Sequence, residues 1–362
     1  MSERFEDSLA QMKDALAWAE KQDVDRLRLF FVEDANTPLY VFSSGGSEGV
    51  GKYIAMLYET NKSMAKALTP LMMASVGDEA LRQSKILLMT TSGKGVDEKY
   101  VIQRAVKVNP QGLCVVTRNV NDENYVIKKL EKVTDNWYRY EWPIQPNSFI
   151  ASTSAIARFG LYYKAFTNDS NILGKLNIDQ TPSSCYTYQP RAEGEIPALK
   201  SIKNYMVLYA GWSEPVAFDF ESSMIESGIA SVQLCDYRNF CHGRFIFLSN
   251  HLEDTALVLF LTPREQRFAR KLILEGKDRY GNNLFPKNLA IASISTQLDS
   301  PLATIDLLLK ERVFFNDVAQ FNGIDPCSPP NPQGIDKRIP RNTAFVPSLN
   351  KLGPLNGNQI IQ

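Results

Sequence analysis

The feature that most constrains the fold is an alternation of short apolar runs with amphipathic helical stretches, which this chain of 362 residues carries twice. Short apolar runs bounded by turn residues are typical of buried strands, and the helices between them return the chain to the same edge of a sheet. This order predicts an α/β fold in which a parallel sheet has helices on both faces. The first series predicts strands over 38–42, 85–91, 113–117 and 137–142, and helices ending near Glu59 and covering 97–108, 122–132 and 148–166.

The alternation restarts after an interruption over 167–198 that is rich in Asn, Asp, Ser, Thr, Pro and Gly. The second series predicts strands over 205–210, 229–234, 245–248, 257–261 and 289–293, and helices over 214–226, 263–274 and 303–319. An amphipathic helix over 4–20 precedes both series, and a Pro- and Asn-rich arm follows them. The predicted segments are 1–34 (N-terminal helical segment), 35–166 (first domain), 167–198 (connecting segment), 199–325 (second domain) and 326–362 (C-terminal arm).

Composition excludes several classes of protein. Lys and Arg together number 40, as do Asp and Glu, so the chain has no overall charge that would favour nucleic acid or an anionic membrane. It has no run of eighteen apolar residues, and its charged N-terminus is not a secretory signal. The five cysteines are scattered, which favours reduced thiols in the cytoplasm over disulfides or a zinc site. They are Cys114, Cys185, Cys235, Cys241 and Cys327.

Two glycine-rich loops follow predicted strands. The first spans 43–49 and offers Ser44, Gly46 and Ser47; the second spans 90–95. Glycines let backbone N–H groups approach an anion, and ligands of open parallel sheets bind at the carboxyl edge. The two loops together predict one phosphate site, although each is also compatible with a plain strand-to-helix turn. The second loop offers Thr90, Thr91, Ser92, Lys94 and Gly95.

A second interpretation of the first loop is a nucleotide-binding P-loop, since 46–52 has the pattern G-x-x-x-x-G-K. That motif requires Ser or Thr next, to bind magnesium, and here Tyr53 follows. A nucleotide hydrolase is therefore the weaker hypothesis.

Glu226 and His242 are the residues suited to proton transfer. His242 precedes the predicted strand over 245–248, and Glu226 ends a predicted helix sixteen residues earlier. Imidazole titrates near neutral pH, and a carboxylate in a buried site can move a proton between neighbouring carbons of an open-chain sugar. The alternative is a structural histidine and a solvated carboxylate.

These residues together resemble the sugar isomerase (SIS) family, in particular its double-domain members. The phosphate loops of that family are similar to 44–47 and 90–95, its catalytic Glu matches Glu226, and its His-Gly-Pro motif resembles 242–244. The turn over 211–213 resembles the corresponding turn of the second domain. The resemblance covers about 35–325. It implies two tandem flavodoxin-like SIS subdomains, a homodimer, and a site near the subunit interface.

The resemblance also implies what the site would do. It would bind a small phosphorylated, sugar-like ligand without metal or organic cofactor, and Glu226 and His242 would act as acid and base. Three departures affect the substrate: Gly95 replaces a phosphate-gripping threonine beside Lys94, Arg244 replaces proline, and Lys337 is the nearest match to the family's C-terminal lysine. The expected activity is a phosphosugar isomerase or deglycase. The alternative is a catalytically idle sensor of a phosphosugar or nucleotide sugar.

Overall fold

A computed structural model of the chain describes residues 11–34, 36–91, 95–118, 134, 137–144, 149–176, 182–189, 202–277, 279–285, 289–331 and 334. These residues form two five-stranded sheets with flanking helices, which confirms the predicted α/β fold. Within these ranges, no helix is both long enough and apolar enough to cross a membrane. The predicted helix over 122–132 lies outside the described residues.

The strands and helices are numbered in chain order. The strands are β1 (Leu39–Phe42), β2 (Ala65–Leu68), β3 (Lys85–Thr90), β4 (Gly112–Thr117), β5 (Trp137–Arg139), β6 (Thr187–Gln189), β7 (Asn204–Tyr209), β8 (Ser231–Asp236), β9 (Thr255–Leu261) and β10 (Ala290–Ser295). The helices are α1 (Met12–Lys21), α2 (Asp25–Val32), α3 (Glu48–Asn61), α4 (Asp78–Arg82), α5 (Val96–Val108), α6 (Ser152–Thr167), α7 (Pro182–Cys185), α8 (Glu214–Glu226), α9 (Tyr237–Asn239), α10 (Phe245–Asn250), α11 (Pro263–Ala269) and α12 (Leu302–Asn322).

Sheet A has the strand order β2-β1-β3-β4-β5, and all its pairs are parallel. Every residue of β3 is buried, as expected of a strand that is covered on both faces. On one face, Phe42 and Leu88 join a cluster with Val101 of α5. Ser43 follows Phe42 and therefore faces the other way, toward α3.

Helix α3 approaches sheet A closely because it presents a glycine there. A Cβ built at Gly51 would overlap Oγ of Ser43, which is itself buried. The glycine thus lets the helix contact β1 and β2 and fixes the path of the chain through the first loop.

Sheet B has the order β6-β10-β9-β7-β8, and it is parallel except for β6, which pairs antiparallel with β10. On one face, the ring of Tyr205 contacts Phe220 of α8 and Phe314 of α12, and the last two rings stack 6.0 Å apart. On the other face, Met206 clusters with Phe240 and Leu248. The fully buried strand β9 runs through the middle of this core.

The structure corrects three sequence predictions. Residues 245–248 form helix α10 instead of a strand; short apolar runs do not distinguish the two, and here Ile246 is exposed while Leu248 is buried. Strand β2 was not predicted, because this edge strand is only partly apolar. Strand β6 was also missed, and it makes sheet B mixed where a parallel sheet was predicted.

The chain separates into two compact units. Among the described residues, the unit with sheet A comprises those within 18–143 and 161–170 together with 331 and 334, and the unit with sheet B those within 11–17, 144–160 and 171–330. Each unit therefore has its own sheet and core. The domain boundaries given above stay a prediction.

The variant Gly51→Ala is expected to lower the midpoint of thermal unfolding, because the new methyl group would overlap Oγ of Ser43. Overpacking of this kind costs about 1–3 kcal/mol. The double variant Ser43→Ala/Gly51→Ala lacks the overlapping oxygen and gains about 1 kcal/mol in helix propensity, so it should recover wild-type stability. Calorimetry of the three proteins tests this, and a single variant as stable as wild type would contradict the close packing.

Candidate functional site

The first glycine-rich loop leads from β1 into α3 through a 3₁₀ turn over Gly45–Ser47. Gly45 has φ +55°, in the left-handed region that favours glycine. Ser44, Gly45 and Gly46 are exposed, and Ser47, the residue before α3, is partly exposed and does not cap the helix through its side chain. The exposed residues 44–46 therefore lie directly before the N-terminal end of α3, the end of a helix at which negative charge is favoured.

The second unit contains a similar strand-to-helix turn, in which the serine is buried. Strand β7 leads into α8 through the turn Gly211–Ser213, where Gly211 has φ +52°. Ser213 is fully buried; its Oγ accepts from the N–H of Ala210 (3.0 Å) and donates to the carbonyl of Ala210 (2.8 Å). Thr304 of α12 donates to the carbonyl oxygen of Trp212 over 2.6 Å. The serine hydroxyl of this copy is therefore engaged within the turn, whereas Ser44 of the first loop is exposed and Ser47 is partly exposed.

The second glycine-rich loop follows β3, the parallel neighbour of β1, so the two strands end side by side. Thr90 is buried, and its Oγ1 donates to Oε1 of Glu98 over 2.6 Å. A Cβ built at Gly95 would overlap Oε2 of the same carboxylate. Glu98 thus lies where the loop meets α5. Thr91 is exposed, and Ser92 and Lys94 lie outside the described residues.

Glu226 is the last residue of α8 and is partly buried. Burial raises the pKa of its carboxyl group, and the charge of Asp219 raises it further. Two interactions oppose this rise: a hydrogen bond that Oγ of Ser222 donates over 2.9 Å, and the charge of Arg312. A carboxyl group with a raised pKa is suited to exchange protons near neutral pH.

Glu226 and His242 lie at opposite ends of the strands of sheet B. Glu226 precedes the first residue of β8, whereas His242 follows its last residue and is exposed. Burial raises the pKa of Tyr209, the last residue of β7, to about 12, and the charge of Arg244 opposes that rise. Arg244 lies two residues after His242, so the His242 segment is near the carboxyl end of β7. A six-residue strand is about 16 Å long. One subunit therefore does not bring the two side chains together.

A buried charge cluster joins α8 to α12. Arg312 pairs with Asp219 and donates from Nη1 to Oγ of Ser223 over 2.7 Å. Glu311 is fully buried, with its Oε2 3.4 Å from Nε of Arg312. The cluster lies on the face of α8 that ends at Glu226, and it holds the helix carrying the candidate acid or base in place.

The structure does not favour the P-loop interpretation. Tyr53 is fully buried within α3, and burial raises the pKa of its hydroxyl well above the ordinary value. A buried phenol cannot take the place of the magnesium-binding hydroxyl. Within the described ranges, no three His, Cys, Asp or Glu side chains converge in a way that could hold a metal ion. Lys337 lies outside the described residues.

Sequence reasoning missed two features of this region. Glu98 follows Gly95 by three residues, which is the spacing of a capping box and could have indicated that its side chain folds back. Arg312 and Asp219 belong to helices far apart in the chain, and no local pattern marks them as partners.

Glu311 predicts a pH dependence of stability. Burial raises its pKa from 4.5 to about 8, so between these values the folded state binds more protons than the unfolded state. The free energy of unfolding should therefore fall as pH rises across this window. Glu311→Gln should show a shallower slope and exceed wild type in stability above about pH 8. Denaturant unfolding at a series of pH values measures this slope. The control Glu275→Gln, at an exposed residue, should keep the wild-type slope. A wild-type slope in Glu311→Gln would contradict the raised pKa of Glu311.

No protein-family model matches the chain, and no curated protein is similar to it in sequence. Solved structures are similar in fold. Glucosamine-6-phosphate deaminase from Thermotoga maritima is 13% identical with a TM-score of 0.66, over 91% of this chain and 98% of that one. Tagatose-6-phosphate ketose/aldose isomerase from Escherichia coli is 15% identical with a TM-score of 0.64, over 92% and 97%. The C-terminal domain of glucosamine-fructose-6-phosphate aminotransferase from Francisella tularensis is 13% identical with a TM-score of 0.61, over 90% and 98%. The chain therefore has the fold of the double-domain sugar isomerase (SIS) proteins.

Proposed function

We propose that the chain binds a phosphorylated sugar or amino sugar and acts on it as an isomerase or deglycase. The observation that carries this proposal is the contrast between the two copies of one loop. In the first copy Ser44 is exposed and Ser47 is partly exposed, whereas in the second copy Ser213 is buried and its hydroxyl group is bonded to the backbone of Ala210. Structures of similar fold are named as enzymes of phosphorylated sugars.

In this proposal the phosphate group binds at the carboxyl edge of sheet A. Ser44, Gly46 and Ser47 provide hydroxyl and backbone N–H donors, and the start of α3 adds positive potential. The second loop contributes from the neighbouring strand. Its proposed contributors are Thr90, Thr91, Ser92, Gly95 and, as a point charge, Lys94.

Proton transfer in this proposal belongs to Glu226 and His242. Glu226 as carboxylate takes a proton from one carbon of the open-chain sugar and returns it to the adjacent carbon, and the hydroxyl proton of the first carbon passes to the carbonyl oxygen of the adjacent one, which interconverts aldose and ketose. His242 passes a proton between the ring oxygen and the anomeric hydroxyl during ring opening. Lys337 would act by Schiff base or by charge. Neither step requires a metal or an organic cofactor.

A homodimer would bring these groups together. Because Glu226 and His242 of one chain lie at opposite ends of the strands of sheet B, we propose that each site combines Glu226 of one subunit with His242 of the other. A symmetric dimer then has two equivalent sites.

The alternative is a catalytically idle sensor of a phosphosugar or nucleotide sugar. The hydrogen bond that Thr90 donates to Glu98 favours this alternative, because a side chain of the protein already binds part of the proposed phosphate site. This alternative predicts saturable binding without product, so a long incubation with a bound sugar phosphate distinguishes the two functions.

Binding is tested by thermal unfolding with a panel of sugar phosphates, amino-sugar phosphates and the corresponding free sugars. A ligand at a hundred times its dissociation constant adds about 2.7 kcal/mol of stability. We expect one phosphorylated compound to raise the midpoint, and Ser47→Ala to reduce this shift by removing a donor. Ser63→Ala, beyond the other end of α3, should keep the full shift. A shift that Ser47→Ala leaves unchanged would place the ligand elsewhere.

The shared site is tested by mixing inactive variants. Glu226→Gln and His242→Asn should each lose most turnover of the bound compound as homodimers, because each lacks one proton-transferring group at every site. Mixed and reassociated, they should recover about a quarter of wild-type activity, since half of the dimers are hybrids with one intact site of two. Reassociation without recovery would contradict a site composed from two subunits.

A further inference from the structure

A cleft opens at the carboxyl end of β9 and β10, between these strands and helix α11. Its volume is about 450 Å³, which is within the range of small-molecule sites, and ligands of open α/β sheets bind at this end of the strands. His242 follows β8, which is three strands from β10 in the order of sheet B. At about 4.8 Å per strand, the two positions are roughly 14 Å apart. The proposed proton transfer therefore does not use this cleft.

One wall of the cleft is a face of α11 and of the turn that follows it. Arg270 lies four residues after Gln266 and three after Arg267, so the three side chains share this face. The helix continues as a π-helical turn over Arg270–Leu274, in which the N–H of Glu275 donates to the carbonyl oxygen of Arg270 over 2.8 Å. Single π-helical turns occur frequently at functional sites. This wall thus carries two guanidinium groups and one amide.

The opposite wall is the end of β10, and Thr296 holds it in place. The N–H of Thr296 donates to the carbonyl oxygen of Leu261 over 2.9 Å, and its own carbonyl oxygen accepts from Nε2 of Gln266 over 3.0 Å. The side chain of Thr296 is buried, so its neighbours Ser295 and Gln297 point the other way, into the cleft. The two walls are therefore joined by hydrogen bonds, and the cleft is preformed.

The guanidinium groups give the cleft a positive charge. Within the part of the chain that the structure describes, Arg267 has no carboxylate partner. Arg270 pairs with Glu275 over 3.4 Å, but both side chains are largely exposed. Exposed ion pairs of this kind are weak, so both guanidinium groups can bind an anion.

Two carboxylates near the cleft are engaged by other residues. Oε2 of Glu265 accepts from the N–H of Thr262 over 3.0 Å and from its hydroxyl group. Asp299 pairs with Arg264 over 2.7 Å. Neither carboxylate therefore neutralises the guanidinium groups that line the cleft.

We propose that this cleft binds a small organic anion through its phosphate or carboxylate group. Arg267 and Arg270 bind the charged oxygens, because the planar guanidinium group matches the geometry of both kinds of anion. Ser295 and Gln297 bind the neutral polar groups of the same ligand. The inference does not depend on the proposed function, because the cleft belongs to the unit with sheet B and the proposed phosphate loops belong to the unit with sheet A.

The test measures binding of inorganic phosphate by phosphorus NMR, and of citrate by titration calorimetry, to the full-length protein. Arg267→Gln removes a charged donor from an exposed position, and it should weaken binding of at least one of these anions about tenfold. Gln297→Ala removes a neutral donor from the other wall and should weaken binding of the same anion about threefold. The control Arg238→Gln removes an exposed charge beyond the carboxyl end of β8, outside the cleft. It should change each dissociation constant by less than about twofold, because salt screens charges at that distance.

The two anions also identify the charged group of the ligand. It is a phosphate if only phosphate binding depends on Arg267, a carboxylate if only citrate binding does, and either group if both do. The proposal is overturned if neither anion binds in a way that depends on both Arg267 and Gln297. Phosphate binding that Ser47→Ala weakens and Arg267→Gln leaves unchanged, together with citrate binding that does not depend on Arg267, would overturn this inference and leave the proposed function standing. Conversely, Arg267-dependent binding without any sugar phosphate binding that depends on Ser47 would support the cleft and contradict the proposed function.

Discussion

The parallel pairing of β1 with β3, and of β7 with β9, is the constraint on which the placement of every candidate residue depends. In each sheet the strand order reverses at this pair, so the loops after the two strands diverge to opposite faces and leave a crevice between them. The first glycine-rich loop and the described end of β3, Thr90 and Thr91, lie at one such crevice. The same pairing in sheet B fixes the separation of Glu226 from His242, because the direction of the strands decides at which end of them each residue lies.

Burial of charge is the second constraint, and it acts through α12. Removing a guanidinium and a carboxylate from water costs several kcal/mol per ion, which close pairing offsets. Arg312 and Asp219 meet this requirement across two helices, and Arg312 also binds Ser223. The helix that ends at Glu226 is therefore held by a buried ion pair as well as by the stacked rings of Phe220 and Phe314. The location of one candidate catalytic group thus depends on residues remote from it in sequence.

Much of the fold could be predicted from sequence, because buried parallel strands are short apolar runs and their helices are amphipathic. Helix α8 has the bounds that its pattern predicted, and β3 differs by one residue. The edge strands β2 and β6 were missed because edge strands bury less and carry weaker patterns. Of the candidate site, the loops and Glu226 could be named from residue type and spacing. The contact between Thr90 and Glu98 could not, because it depends on how a side chain folds back across a helix start.

The two copies of the strand-to-helix turn have diverged in what constrains them. Around Gly45 the chain is exposed, so the residues there contact solvent. In the turn that begins at Gly211, Ser213 is buried and Thr304 of α12 donates to the carbonyl oxygen of Trp212. A Cβ built at Gly46 has no neighbour within 4 Å, so a side chain there would leave folding intact, whereas the indole of Trp212 stands at the matching position of the second copy. One backbone turn is thus used in two settings: the first copy lies at the surface, and in the second the buried serine is part of the core.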